Sequence, residues 1–306
     1  MTERILLTPE HTERVAQLKV RAQGVVEGVL SGLHRSPHHG QSVEFAEHKE
    51  YAPGDEIRHI DWKAFGKFDK YYVKRFEHET NLRAFIVIDA SASMGFCSEG
   101  PQGRSKLDIA CTLAAAFSYL LVRQQDAVGL LVLQGENMRY VPPRAAAGHL
   151  NTLLDELSVV QPEGTTNLAA AAEFLSEKAR RRAAVMLFSD LFDTNDRAVA
   201  RMLQLRHQKN ELALFHVLDP AELTFPYDDP TQFLSMEDSR QLQAHPAEIR
   251  ESYLEEFGAF LEATRRTCAE SRVNYELVRT DAQLDRVMIS FLARLDATSS
   301  RASRGF

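Results

Sequence analysis

The sequence predicts an α/β fold, a doubly wound, mostly parallel sheet flanked by helices, with an N-terminal helical arm and a partly β module. Three observations predict it. Short, continuous apolar runs recur at Ala84-Phe85-Ile86-Val87-Ile88, Ala184-Val185-Met186-Leu187-Phe188 and Leu212-Ala213-Leu214-Phe215-His216-Val217-Leu218, the pattern of strands buried on both faces. Segments with helical apolar spacing alternate with these runs, as crossover connections between parallel strands require. Each run stops at an acidic residue, Asp89, Asp190 or Asp219, where a strand would leave the packed core.

Residues 9–33 place Val15, Leu18, Val20, Val25, Val26, Val29 and Leu30 among polar residues, which suits an amphipathic helix interrupted near Gly24. From His34 to Asn81 the composition turns aromatic, charged and turn-forming. Pro53-Gly54-Asp55 marks a turn there and Tyr71-Tyr72-Val73 a strand. Residues 1–81 are therefore read as an arm plus an irregular, partly β module, and 82–295 as the α/β domain.

Within that domain Leu107, Ala110, Leu113, Ala114, Phe117 and Leu121 follow helical spacing. Val128 to Leu133 reads as a second strand and Met138 to Val141 as a short edge strand. Leu150 to Leu157 and Leu168 to Ala179 read as helices. The stretch from Pro220 to His245, rich in Pro, Asp and Gln, reads as a long surface connection. A helix from Pro246, a last strand at Tyr275-Glu276-Leu277-Val278 and a final helix capped by Asp281 complete the domain. Residues 296–306 read as a disordered tail.

With 306 residues and 44% hydrophobic composition the chain can bury a substantial core. A formal charge of −7 disfavours a general nucleic-acid binder, which needs a surplus of Lys and Arg to neutralise phosphates. No apolar run has the length of a membrane span, and the N-terminus lacks the layout of a secretory signal, so a cytoplasmic location is expected. Cys97, Cys111 and Cys268 are odd in number and widely spaced, which suggests neither a disulfide framework nor a thiolate zinc site.

In open α/β sheets functional groups gather at the carboxyl ends of strands. Asp89, Ser91 and Ser93 lie there, and a loop turning out of a strand can aim alternate side chains at one point. Thr166, in Gly164-Thr165-Thr166-Asn167-Leu168 before a helix, and Asp190, at the end of a later buried strand, add two more oxygen donors. Such hard ligands favour Mg²⁺ or Mn²⁺, with Ca²⁺ also compatible, over zinc. The competing structural reading has the same hydroxyls bonded to loop backbone, with water in the cation's place.

This set of Asp89, Ser91, Ser93, Thr166 and Asp190 resembles the metal-ion-dependent adhesion site of von Willebrand factor A domains. The resemblance implies that Ser91, Ser93 and Thr166 reach the cation directly and that Asp89 and Asp190 act directly or through water. One coordination position then awaits an Asp or Glu of a partner protein. A second resemblance covers almost the whole chain. Val43-Glu44-Phe45, Tyr51-Ala52-Pro53-Gly54-Asp55, Arg58-His59-Ile60-Asp61-Trp62 and Lys74-Arg75-Phe76-Glu77, followed by Leu218-Asp219-Pro220 and Tyr253, are similar to the domain of unknown function 58 family. That resemblance implies a MoxR-type AAA+ ATPase as partner and a part in assembly or maturation of other proteins.

The function expected is thus a non-catalytic, metal-dependent protein-binding module. Two other readings stay open: a metal-assisted phosphohydrolase, and a scaffold whose metal site is vestigial. The first would need a second carboxylate two residues after Asp89, where Ser91 stands. Asp55, Arg58, Asp61 and Trp62 read as an internal salt-bridge network, with a docking surface as the alternative. The histidines His34, His38, His39, His48 and His59 lie in a turn-rich segment with no accompanying Cys and read as solvated loop residues rather than zinc ligands.

Overall fold

A computed structural model describes residues 9–34, 49–50, 72–73, 82–100, 103–146, 148–179, 182–193 and 198–302. The chain divides into two compact units, 1–32 with 82–306, and 33–81. In the smaller unit, β1 (Lys49–Glu50) pairs antiparallel with β2 (Tyr72–Val73). The expected network of Asp55, Arg58, Asp61 and Trp62 lies outside the described residues, as do His38, His39, His48 and His59.

Helix α1 (Pro9–His34), whose residues up to Gly32 belong to the larger unit, runs unbroken through Gly24, contrary to the expected interruption. A mid-helix glycine costs about 1 kcal/mol relative to alanine, too little to break a helix that buries Leu18, Ala22, Val26 and Val29 along one stripe. Val20 lies off that stripe and is exposed. Leu18 shares the lining of a cavity of about 270 Å³ with Leu107, Cys111 and Leu157. The bulk of the arm thus groups with the α/β unit, not with residues 33–81 as the sequence reading had it.

Six strands form the main sheet: β3 (Arg83–Asp89), β4 (Ala127–Gln134), β5 (Asn137–Arg144), β6 (Ala183–Ser189), β7 (Glu211–Leu218) and, last in the chain, β10 (Asn274–Arg279). Their spatial order is β10-β7-β6-β3-β4-β5, parallel throughout except where β5 runs antiparallel to β4 at one edge. The chain moves outward from β3 in one direction, then returns to its other side at β6. This is the doubly wound α/β arrangement that the apolar runs predict, with its switch point between β3 and β6.

Helices α2 (Lys106–Arg123), α3 (His149–Ser158), α4 (Leu168–Lys178), α5 (Ala198–Gln204), α6 (Pro220–Thr224), α7 (Pro246–Glu270) and α8 (Leu284–Ala302) complete the unit. On one face Phe117 of α2 and Phe291 of α8 meet Phe188 and Phe215, whose rings stack 4.6 Å apart. On the other, Phe85, Val87, Leu131, Val185 and Leu187 share a buried cluster with Leu168 and Leu175 of α4, Met202 of α5 and Cys268 of α7. Both faces are covered, which is why these strands read as continuous apolar runs. No described helix is long and apolar enough to cross a membrane.

Three further differences from the sequence reading stand out. The stretch expected as a plain connection folds into α6 and a hairpin of β8 (Thr231–Leu234) with β9 (Gln241–Ala244). Helix α8 continues to Ala302, into the segment expected to be disordered. Asp281, expected to cap that helix, places both carboxylate oxygens on the Arg279 guanidinium at 2.9 and 2.6 Å.

The pairing of β4 with β5 shifts register between Val128 and Leu130, and Gly129 fits there because it has no side chain. A Cβ on Gly129 would lie 2.9 Å from the Val141 carbonyl oxygen and 3.0 Å from the Pro143 nitrogen, both backbone atoms. Gly129→Ala is therefore expected to lower stability by about 1–3 kcal/mol, read as a lower urea midpoint at unchanged slope.

Candidate functional site

The site lies at the carboxyl ends of β3 and β6, the adjacent strands at the switch point, where such sheets collect ligand-binding groups. Asp89 is the last residue of β3, and Asp190 directly follows Ser189 at the end of β6. The loop leaving β3 is fixed by three backbone hydrogen bonds. Ala90 N–H donates to the Leu133 carbonyl (2.7 Å), Glu163 N–H to the Ala90 carbonyl (2.9 Å) and Ala92 N–H to the Gly164 carbonyl (2.8 Å). The last two tie the Asp89 loop to the loop that carries Thr166.

That second loop depends on glycine. Gly164 has φ of +69°, and a Cβ there would come 2.6 Å from the Cα of Gly135; only a residue without a side chain fits both the conformation and the approach. Asn167 then caps α4, its Oδ1 accepting from Ala170 N–H at 3.0 Å, which sets Thr166 just ahead of the first turn.

Asp89 is fully buried. Its Oδ1 accepts from Ser91 N–H (3.0 Å) and its Oδ2 from the Ser189 hydroxyl (2.6 Å). Burial raises its carboxyl pKa to about 6, and the charge of Asp190 adds to the rise; Ser189, the Ser91 amide and the Thr166 hydroxyl oppose it. The hydroxyls of Ser91 and Ser93 lie 3.1 Å apart. Neighbouring oxygens around an octahedral Mg²⁺ at ~2.1 Å are about 3.0 Å apart. Thr166 is buried beside Asp89, and its Oγ1 makes no hydrogen bond of good geometry.

Asp190 is arranged differently. It is near enough for its charge to act on Asp89, but its Oδ2 takes an ion pair from Lys106 Nζ at 2.7 Å and its Oδ1 accepts from Phe192 N–H at 3.2 Å. The structure thus gathers Asp89, Ser91 and Ser93 into one hydrogen-bonded group, sets Thr166 against it, and places Asp190 alongside, engaged by a lysine.

Sequence reasoning missed Lys106, Glu222, Ser189 and His216. Lys106 is completely buried, with its ammonium 2.7 Å from Asp190, 2.6 Å from Glu222 and 5.1 Å from the Phe192 ring centroid. Burial alone would lower its pKa, but the charges of Asp190 and Glu222 outweigh it and hold the ammonium above its ordinary value. A signal existed: Lys106 is the first residue of α2, where the helix dipole disfavours a cation. Glu222 closes a capping box with Asp219 at the start of α6 and accepts the Asp219 N–H at 2.7 Å. His216 bridges Asp190 and Tyr275, its Nε2 lying 2.9 Å from the Asp190 carbonyl and its Nδ1 2.8 Å from the Tyr275 hydroxyl. Burial lowers its pKa to about 4, so the ring is neutral and donates through Nε2, since a carbonyl can only accept.

Among the described residues no group of three or more His, Cys, Asp or Glu side chains is arranged to hold a metal ion. A cation at this site would therefore rest on hydroxyls as much as on carboxylates. The donor set suits that role: all are oxygens, two hydroxyls stand at cis-ligand separation, and a third buried hydroxyl makes no hydrogen bond of good geometry.

Residues 47–259 match the family model described as protein of unknown function DUF58. An uncharacterized protein of Mycobacterium tuberculosis (strain ATCC 25618 / H37Rv), Rv1480, is 29% identical over 222 residues, 71% of this chain and 68% of that protein. A protein of Mycobacterium bovis, Mb1516, matches with the same figures. Among solved structures, the conserved hypothetical protein BatB of Bacteroides thetaiotaomicron aligns with a TM-score of 0.42 at 16% identity, over 71% of this chain and 99% of its own. The SpRpn10 VWA domain aligns with a TM-score of 0.38 at 9% identity, over 70% of this chain and 94% of its own. At such scores these likenesses add nothing about function.

Removing the lysine while leaving its carboxylates should be severe. Lys106→Met is expected to cost about 3–5 kcal/mol, the usual penalty for stranding a buried charge, with partial recovery in Lys106→Met/Asp190→Asn. Urea unfolding of the two variants in chelator checks both outcomes.

Proposed function

Because the chain belongs to the DUF58 family, whose description assigns no activity, we propose its function from the site itself. It is a non-catalytic protein-binding module in which Asp89, Ser91, Ser93, Thr166 and Asp190 hold a divalent cation, Mg²⁺ or Mn²⁺, that grips an acidic side chain of a partner. The observation that carries this reading is the buried Thr166 Oγ1, which has the Asp89 carboxylate beside it but makes no hydrogen bond of good geometry, next to the Ser91–Ser93 hydroxyl pair. A buried hydroxyl left unsatisfied costs about 1–3 kcal/mol, a cost that a ligand would offset.

Uncharged hydroxyl ligands leave a bound cation electrophilic, and so attractive to an incoming carboxylate. Asp89 is poorly suited to act as a nucleophile or general base, since both its oxygens already accept hydrogen bonds and no second carboxylate stands at Ser91. On the resemblance noted in the sequence, the module serves assembly or maturation of other proteins together with a MoxR-type AAA+ ATPase.

Calorimetric titration of the full chain with Mn²⁺ tests the reading. One binding event is expected in the wild type and none in Ser91→Ala or Asp89→Ala; undiminished binding in those variants would reject the site. Mg²⁺-dependent turnover of a phosphate ester, lost in Asp89→Ala, would replace binding by catalysis as the function. Capture of the ATPase that persists in chelator would point instead to a scaffold.

Thr166→Val separates ligand from framework, because it deletes the hydroxyl at nearly constant volume. In chelator the variant is expected to match wild-type stability to within about 1 kcal/mol, since the poorly satisfied hydroxyl is gone along with its weak contact to Asp89. Its Mn²⁺ affinity should fall by at least about tenfold. Thermal melts with and without Mn²⁺ give both numbers.

A further inference from the structure

The β8–β9 hairpin projects a carboxylate toward this site. Its turn is closed by Ser235, whose N–H donates to the Arg240 carbonyl at 2.9 Å and whose hydroxyl accepts from the N–H groups of Glu237 (3.4 Å) and Asp238 (3.3 Å). Asp238 and Arg240 pair with each other in solvent at 2.6 Å. Glu237 is less exposed, and Met236, itself partly in solvent, reaches back toward the β3 loop. A Cβ on Gly95 would lie 3.5 Å from Met236 Cε, which puts the hairpin tip against the turn that immediately follows Ser93. Glu237 is half-buried, and its Oε1 is fully enclosed without a hydrogen-bond partner.

The setting of Glu237 is electrostatically unfavourable as it stands. Burial pushes its carboxyl up, the nearby Ser93 hydroxyl opposes this, and the charges of Asp190, Asp89 and Asp193 push it further. The buried ammonium of the site, Lys106, is already shared between Asp190 and Glu222. Asp238, one residue on, shows that a side chain at this turn can reach solvent and a guanidinium partner. An enclosed carboxylate oxygen beside the Ser93 hydroxyl and in the field of three anions is what a missing positive charge leaves behind.

We propose that Glu237 is the chain's own ligand for the cation, standing where a partner's acidic side chain would enter, so that a partner binds by displacing the hairpin tip. The proposal rests on the cation-binding reading above. The hairpin is built for such a movement. Its root is fixed by the aromatic cluster of Phe225, Tyr227, Phe233 and Tyr253 and by Arg250, which donates to the Phe225 and Tyr227 carbonyls at 3.1 and 2.7 Å. The tip meets the site through Met236 and Glu237, and Leu234 and Leu242 are exposed on the hairpin. The partner class is a protein segment bearing an Asp or Glu.

Three measurements on the full chain decide the matter. Mn²⁺ affinity by calorimetry is expected to fall at least about tenfold in Glu237→Gln, while its melting temperature in chelator equals or exceeds that of wild type, because a repulsive charge has been removed. Hydrogen exchange of the 231–244 amides should slow on adding Mn²⁺ to wild type but not to Glu237→Gln. Millimolar acetate should restore Mn²⁺ affinity to Glu237→Ala and leave wild type unchanged. Wild-type affinity in Glu237→Gln, with exchange of the hairpin indifferent to Mn²⁺, overturns the proposal. If Ser91→Ala abolishes Mn²⁺ binding in that same series, only the role of Glu237 falls; if wild type itself binds no Mn²⁺, the cation reading falls with it.

Discussion

Two carboxylates buried at the ends of neighbouring strands must be balanced by positive charge, and the rest of the site is arranged around that requirement. Asp89 and Asp190 are both fully enclosed. Two like charges ~5 Å apart repel by about 3 kcal/mol at an effective dielectric near 20, a large fraction of a domain's net stability. The fold supplies one ammonium, Lys106, and then divides it between Asp190 and Glu222. Asp89 receives hydrogen bonds but no cation, and its raised pKa records the shortfall. A lysine that served Asp89 as well would have balanced it; with Lys106 held aside by two other carboxylates, Asp89 is left to its hydrogen bonds, the condition on which the proposed cation site rests.

Strand register enforces this division. β3 and β6 pair in parallel with Ile88 opposite Phe188, so Asp89 stands level with Ser189 and one residue short of Asp190. Side chains alternate across a strand, which gives Asp89 a hydroxyl as its direct neighbour and sends the Asp190 carboxylate toward α2. A slip of one residue would exchange the hydroxyl for a carboxylate and invert every apolar residue of β6. The core packing that selects the register therefore also determines the chemistry at the strand ends. The backbone bonds from Glu163 to Ala90 and from Ala92 to Gly164 extend the same order to Thr166.

What could be read from the sequence follows from the range of the forces involved. The buried strands were legible because covering both faces of a sheet demands continuous apolar runs, and the oxygen donors because strand ends and a helix start place them by local rules. Lys106, Glu222 and His216 were not, since each owes its role to partners brought from elsewhere in the chain: 84 residues separate Lys106 from Asp190 and 116 separate it from Glu222. The Pro220–His245 stretch misled for a related reason. Its hairpin strands are only four residues each, and one of them, Thr231-Gln232-Phe233-Leu234, lacks polar–apolar alternation; its order comes from aromatic contacts such as Phe225 with Tyr253 that no local window contains. Gly24 misled in the opposite sense, because a local penalty was outweighed by burial along the rest of α1.

If Glu237 is the internal ligand proposed above, it changes what kind of partner the site would accept. A tethered group acts at an effective concentration in the millimolar range, so a lone acidic side chain on a dilute protein competes poorly for the same position. A successful partner needs binding energy from outside the cation, and the exposed Leu234, Met236 and Leu242 lie on the element it must move. Discrimination then comes from the competing internal ligand as much as from attraction to the partner, the general logic of specificity by negative selection. An open adhesion site would bind many acidic surfaces weakly. A site guarded by Glu237 would exclude most of them and admit those that also engage the hairpin.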